Sequence, residues 1–236
     1  MILAAGMGTR LRPITDNIPK ALVQIAGKPL LHHLIERLIL HGFTDLIINI
    51  HHMADQIVDF VKSNDFSPAR ITFSDERRRL LDTGGALKKA SWFLDSVNPF
   101  LVHNCDVVST FDLENMLNQH INSKSLSTLA VSSRNTSRPL AFCNGLFKGR
   151  WNDTHSADSK CIPYAFSGVS VFEPEIFDLM PNTDTFSLID MLADIANNRN
   201  IRAFVHQAGQ WADAGSTQRL TEAELLLKQY VKNHDK

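Results

Sequence analysis

The sequence is short of cysteine, with three in 236 residues, and short of net charge: 24 Lys+Arg stand against 25 Asp+Glu, for a formal charge of -1 at pH 7. The even balance argues against a nucleic-acid or anionic-membrane surface, which needs a basic field. Long hydrophobic runs are absent; the longest are strand-sized, far below the roughly 20 residues of a membrane-spanning helix. No basic stretch followed by an apolar core opens the chain, so a secretory signal is not expected. Cys105, Cys143 and Cys161 are odd in number and widely spaced. They predict a reducing compartment, the cytoplasm, and neither a disulfide framework nor a zinc site. Internal repeats, low-complexity stretches and Pro/Ser-rich linkers are lacking too, so the length predicts a single domain over residues 1–236.

What is present is alternation. Met1–Ala5 reads as a short buried strand that stops at Gly6, and Gly6–Asn17 as a loop. Pro29–His41 carries Leu30, Leu31, Leu34 and Leu38 at helical spacing, with Gly42 as its stop. Strands are expected at Asp45–Ile50, Arg70–Ser74 and Phe100–His103, with helices at Ala54–Lys62 and Thr83–Phe93 between them. The second half is less regular. Strands are expected at Leu126–Ser132, Tyr164–Phe172 and Ile201–His206, short strands and turns over Arg138–Ile162, and helices at Ser187–Asn197 and Ser216–Val231. The pattern predicts an α/β fold: a Rossmann-like, mixed but mostly parallel sheet with helices on both faces and a small β-rich insertion in the second half.

The chemistry gathers first in Leu3-Ala4-Ala5-Gly6-Met7-Gly8-Thr9-Arg10-Leu11-Arg12-Pro13, followed by Ile14-Thr15 and Pro19-Lys20. A strand opens here into a glycine loop that carries cations. Glycines let backbone N–H groups approach phosphate oxygens. Arg10 offers a planar fork and Lys20 a point charge to a polyphosphate. Taken alone, Gly6-Met7-Gly8 also fits a plain strand-to-helix turn with surface cations. It is neither a dinucleotide fingerprint nor a P-loop, because the third Gly and the Gly-Lys-Ser/Thr are missing. Asn104-Cys105-Asp106 follows an expected strand, and a carboxylate at the C-terminal end of such a strand suits magnesium. His32-His33 and His51-His52 are assigned surface or packing roles, since adjacent helical residues do not share a face. Trp92 and Trp151 are assigned to the core or a pocket wall.

The complete string resembles the signature of the sugar-1-phosphate nucleotidyltransferases, Gly-x-Gly-Thr-Arg-Leu-x-Pro, then Thr, then Pro-Lys, and every one of those positions is present. The resemblance extends through Ala26-Gly27-Lys28-Pro29-Leu30, Leu81-Asp82-Thr83-Gly84-Gly85-Ala86, Phe166-Ser167-Gly168-Val169-Ser170 and Trp211-Ala212-Asp213-Ala214-Gly215-Ser216. It implies attack of a sugar-1-phosphate oxygen on the α-phosphorus of an NTP, giving an NDP-sugar and pyrophosphate. Arg10 and Lys20 are then the phosphate-binding catalytic residues, and Asp106 and Asp213 the catalytic ligands of Mg²⁺. Leu3, Ala4, Gly6, Gly8 and Thr9 are implied to hold the nucleotide, together with Thr83, Gly84 and Gly85 against the base. Asn104 and Gly168 are implied in the sugar pocket.

On this resemblance, residues 1–110 form a nucleotide-binding half and 111–236 a sugar-binding half. Many relatives carry a Glu-Lys pair shortly before the Gly168 strand; here Asp158-Ser159-Lys160 stands instead, which leaves the holder of the sugar phosphate open. Among compact members the chain is similar to the N-acetylmuramate-1-phosphate uridylyltransferases, on the Leu-Asp-Thr-Gly-Gly, Phe-Ser-Gly-Val-Ser and Phe186-Ser187-Leu188 segments. Mannose-1-phosphate guanylyltransferases, phosphocholine cytidylyltransferases and a non-catalytic nucleotide-binding module stay open as alternatives. The expected partners are an NTP and a sugar 1-phosphate, with no nucleic acid and no membrane, in a monomer or small homo-oligomer.

Overall fold

The computed structural model describes residues 1–96 and 99–234. The chain divides into two compact units, one made of Met1–Leu80, Asn104–Phe111 and Gly209–Lys236, the other of Leu81–His103 and Asp112–Ala208. The fold is mixed α/β.

In the first unit, strands lie in the order Arg70–Asp75, Asp45–Ile50, Ile2–Leu3, all parallel. The register pairs Ile2 with Ile48 and Leu3 with Asn49. The middle strand reads as a nearly continuous apolar run because a parallel strand is covered on both faces. Helix Leu30–Leu40 buries Leu30, Leu31, Leu34, Ile35 and Leu38. Their i, i+3, i+4 spacing makes one apolar stripe, and each such side chain contributes roughly 1.5–3 kcal/mol on burial. Val107–Ser109 pairs antiparallel with Trp211–Asp213, an arrangement that periodicity does not announce, and its register sets Asp213 opposite Val107. Helix Thr217–His234 closes the unit. Its Leu220, Ala223, Leu226 and Leu227 pack with Leu11, Val23, Ile25, Val108 and Ala214.

In the second unit, strands lie in the order Phe100–Asn104, Cys161–Phe172, Ser127–Ser132, Ile201–Val205, Leu146–Arg150, Leu140–Cys143. The long strand Cys161–Phe172 is antiparallel to its neighbours, while Ile201–Val205 and Ser127–Ser132 are parallel. Its register against Ser127–Ser132 shifts between Phe166 and Ser170, around Gly168.

Four features differ from expectation. Cys143 and Cys161 form a disulfide, because the antiparallel return of the Cys161–Phe172 strand sets the two residues directly opposite each other. A helix runs over Leu113–Ser123, capped by the Asp112 side chain, which accepts from Asn115 N at 3.0 Å. The expected Thr83–Phe93 helix is two, Asp82–Lys89 and Ser91–Leu94, interrupted at Ala90. Trp92, assigned to core or pocket wall, is 60% exposed.

Candidate active site

The glycine loop is fixed by both its backbone and its buried apolar side chain, Leu11. Gly8 has φ of +65°, and a Cβ placed there would lie 2.9 Å from Thr15 Cγ2 and 3.1 Å from Lys20 Cβ, so only glycine fits. The Gly8 carbonyl accepts from Thr15 Oγ1 at 2.8 Å and from Leu11 N at 2.9 Å. The resulting Thr9–Leu11 turn sends Leu11 into the core and leaves Thr9 and Arg10 exposed. Burial of Leu11 thus anchors the turn on which the arginine is carried. Gly6, also exposed, has open space where a side chain would begin.

Two of the nucleotide-binding residues expected from sequence use their backbone inside the unit. Leu3 O accepts from Cys105 N at 2.9 Å, and Ala4 N donates to Asn49 Oδ1 at 2.6 Å. Asn49 in turn donates from Nδ2 to Glu76 Oε1 at 2.9 Å. Glu76 is only 1% exposed. The end of the Ile2–Leu3 strand, from which the glycine loop departs, is therefore tied through Asn49 to a buried carboxylate. Sequence reasoning missed both residues. The available signal was a single polar residue inside the apolar run Leu46–Ile50.

Asp106 and Asp213 are brought together by the short antiparallel ribbon, and Ala214 N donates to Asp106 O at 2.7 Å. Lys20 Nζ donates to Asp106 Oδ2. Asp213 Oδ1 accepts from Gly215 N at 2.9 Å, and its Oδ2 accepts from Arg219 Nη1 at 2.5 Å. Arg10 Nη2 reaches the same place, 3.2 Å from where a Cβ on Gly215 would lie. Arg10, Lys20, Asp106 and Asp213, all singled out from sequence, thus meet in one unit, and Arg219 joins them without having been anticipated. The carboxylate oxygens are hard donors that suit Mg²⁺. Each acid is paired with its own cationic group, Asp106 with Lys20 and Asp213 with Arg219. Cys105, next to Asp106 in the chain, is buried, and burial, reinforced by the Asp106 charge, pushes its thiol pKa up. It stays protonated, as expected of a packing residue and not a nucleophile.

The remaining sequence-derived residues belong to the second unit, apart from Asn104, which ends the Phe100–Asn104 strand half-buried. Thr83 Oγ1 accepts from Leu188 N at 3.0 Å. Gly84 N and Gly85 N both donate to Phe186 O, at 3.0 and 3.3 Å. A Cβ on Gly85 would come within 2.0 Å of Asp184 O, so tight packing against that segment demands glycine there. The amides of Gly84 and Gly85 are therefore engaged by protein.

Gly168 sits where the register shifts, and a polar network lies beside it. Arg134 Nη1 donates to Ser132 Oγ at 2.9 Å and to Ser167 Oγ at 3.0 Å, and its Nη2 donates to Phe166 O. Ser167 Oγ donates to His206 Nε2 at 2.7 Å, whose Nδ1 donates to Gln207 O at 2.9 Å. Burial, followed by the Arg134 charge, holds the His206 pKa below its ordinary value, which matches a neutral ring accepting on Nε2. Neither Arg134 nor His206 was visible as a site residue in the sequence.

A glycine loop with two cations, set against two carboxylates on a mixed α/β fold, is the layout of an enzyme that works on phosphates. The chain belongs to the nucleotidyl transferase family, whose model matches residues 1–149. It is 30% identical over 242 residues to an N-acetylmuramate alpha-1-phosphate uridylyltransferase of Caulobacter vibrioides, covering 96% of each chain. It is 31% identical over 239 residues to the enzyme of the same name from Neisseria meningitidis serogroup B, again covering 96% of each. Among solved structures, a putative glucose-1-phosphate thymidylyltransferase from Bacillus anthracis superposes with a TM-score of 0.80 at 21% identity, covering 95% of this chain and 93% of that one, which speaks to the fold.

Proposed function

We propose that the chain transfers a nucleotidyl group from UTP to N-acetylmuramate 1-phosphate, producing the UDP-sugar and pyrophosphate. The observation that carries the chemistry is the meeting of Arg10, Lys20, Asp106 and Asp213 in one cluster. Full-length similarity to the two uridylyltransferases supports the choice of base and sugar.

In this reading Arg10, projecting from the glycine loop, binds the NTP phosphates and stabilises charge on the departing pyrophosphate. Lys20, held at Asp106, lies by the α-phosphate and offsets the charge that grows there. Asp106 and Asp213 would hold Mg²⁺, which when bound would supply positive charge to the phosphates. The chain provides no covalent nucleophile and needs none, because the sugar phosphate is already ionised; direct displacement then inverts configuration at the α-phosphorus. Gly6, Gly8 and Thr9 border the phosphates. Leu3 and Ala4 are assigned to the nucleotide, and Thr83 to Gly85 to the base, the amides of Gly84 and Gly85 being already engaged by Phe186. Asn104 and Gly168 are assigned to sugar binding. Residues 1–110 then serve mainly the nucleotide and 111–236 mainly the sugar. The enzyme works in the cytoplasm, where NTPs are pooled, as a monomer or small homo-oligomer.

Pyrophosphate release with Mg²⁺ tests the reading, with UTP, GTP, CTP, ATP and dTTP each paired with N-acetylmuramate, N-acetylglucosamine, glucose and mannose 1-phosphates and with phosphocholine. A dominant rate for UTP with the muramate phosphate is expected. GTP with mannose 1-phosphate, or CTP with phosphocholine, would overturn the substrates and keep the transfer. Silence from folded protein would overturn the transfer itself.

A further inference from the structure

We propose that Arg219 is a displaceable counter-cation of Asp213: it neutralises that carboxylate in the empty enzyme, yields it to the divalent cation, and moves its guanidinium onto the NTP phosphates. The inference rests on the reading of Asp106 and Asp213 as metal ligands.

Both oxygens of Asp213 are engaged, Oδ1 by Gly215 N at 2.9 Å and Oδ2 by Arg219 Nη1 at 2.5 Å. A divalent cation approaching Oδ2 therefore meets a positive charge already in place. Arg219 lies in the first turn of the Thr217–His234 helix. A cation there opposes the helix macrodipole, which favours acidic groups at that end. Local preference does not explain the residue; its carboxylate partner does. The two ends of the pair differ in freedom, since the Arg219 side chain is 50% exposed and that of Asp213 only 16%. The arginine has solvent into which to swing and the aspartate does not. The pair repeats the relation between Lys20 and Asp106, so each acid carries one cation before anything binds. Once Mg²⁺ takes over the neutralisation, a guanidinium with a planar fork is released beside Arg10, where polyphosphate oxygens are to be bound.

Mn²⁺ titration without nucleotide, read by electron paramagnetic resonance, tests this on the wild type and on Arg219→Gln, Arg219→Lys and Asp213→Asn. Arg219→Gln is expected to bind Mn²⁺ about fivefold more tightly, the scale of a partly exposed ion pair. In turnover assays the same variant is expected to raise KM for the NTP by about tenfold or more, from the loss of a charge-assisted phosphate contact. Arg219→Lys keeps the charge and the fold and should fall between the two on both readouts. Unchanged or weaker Mn²⁺ binding in Arg219→Gln, with binding lost in Asp213→Asn, would overturn the exchange and leave a merely structural ion pair. Wild-type Mn²⁺ binding in Asp213→Asn would overturn the metal assignment beneath it.

Discussion

Asn49 donates from Nδ2 to Oε1 of the buried Glu76 at 2.9 Å. The same side chain accepts the Ala4 N–H at 2.6 Å, so removing it takes a partner from both. Asn49→Ala is expected to cost about 1–3 kcal/mol, the penalty for leaving buried polar groups unsatisfied. For a chain of this size that lowers Tm by about 3–10 °C. KM for the NTP should rise as well, because the glycine loop departs from this strand. Thermal unfolding by circular dichroism, with steady-state kinetics, checks both; an unchanged Tm would contradict the tie.

At Gly8 the backbone is left-handed and a Cβ would lie 2.9 Å from Thr15 Cγ2 and 3.1 Å from Lys20 Cβ. Gly8→Ala therefore adds about 1–2 kcal/mol of backbone strain and pushes on the lysine. Turnover should fall by more than that strain alone would give, while the urea midpoint shifts only modestly. Wild-type kcat/KM in this variant would show that the loop does not position Lys20.

Cysteine chemistry separates the three cysteines. Cys105 is free and buried with a raised pKa, whereas Cys143 and Cys161 are bonded to each other. Iodoacetamide at pH 8 is expected to leave the native protein unlabelled, to label one cysteine on unfolding, and to label three only after reduction as well. Mass spectrometry counts the adducts. Rapid labelling of native Cys105, with loss of turnover, would contradict its role as a packing residue.

His120 gives a pH dependence of known sign. Its ring is wholly buried, with Nδ1 at 2.9 Å from Thr128 Oγ1 and Nε2 at 3.3 Å from Glu173 Oε1. Burial depresses its pKa from 6.5 to about 4. The Glu173 carboxyl is shifted up by its own burial, then by Glu175. Between those two pH values the unfolded chain takes up a proton on His120 that the folded chain does not. The contribution of neutral His120 is complete above 6.5 and is lost as pH falls towards 4. His120→Asn removes this titration, so its stability should fall less steeply over that window in urea titrations. A slope equal to the wild type would contradict the assignment.

Much of the site was legible because its residues lie in contiguous strings. Arg10, Lys20, Asp106 and Asp213 were singled out because each sits in a contiguous segment that resembles a family motif, while the residue types alone left a plain turn or cap open. Helix Leu30–Leu40 and strand Asp45–Ile50 were legible because long runs at a single period leave little choice. What escaped was tertiary. Asn49 and Glu76, or Arg134 and His206, acquire meaning only once folding makes them partners. Arg219 lies six residues beyond Asp213 in a helix that read as an ordinary closing element. Three-residue strands such as Trp211–Asp213 carry no period to detect. The Cys143–Cys161 bond depends on register, which spacing along the chain does not reveal. Helix Leu113–Ser123 buries only Leu113, Met116 and His120, too sparse a stripe to stand out.

The two carboxylates are the centre of the proposed chemistry, and pyrophosphate release measures them directly. With the best substrate pair from the panel, the wild type should turn over with Mg²⁺ and stop in EDTA. Asp106→Asn and Asp213→Asn should each lose at least about 100-fold in kcat, the scale seen when one charge-stabilising group is removed from a transition state. Circular dichroism should show both variants folded. Near-wild-type turnover in either folded variant, or turnover that persists in EDTA, would contradict the assignment.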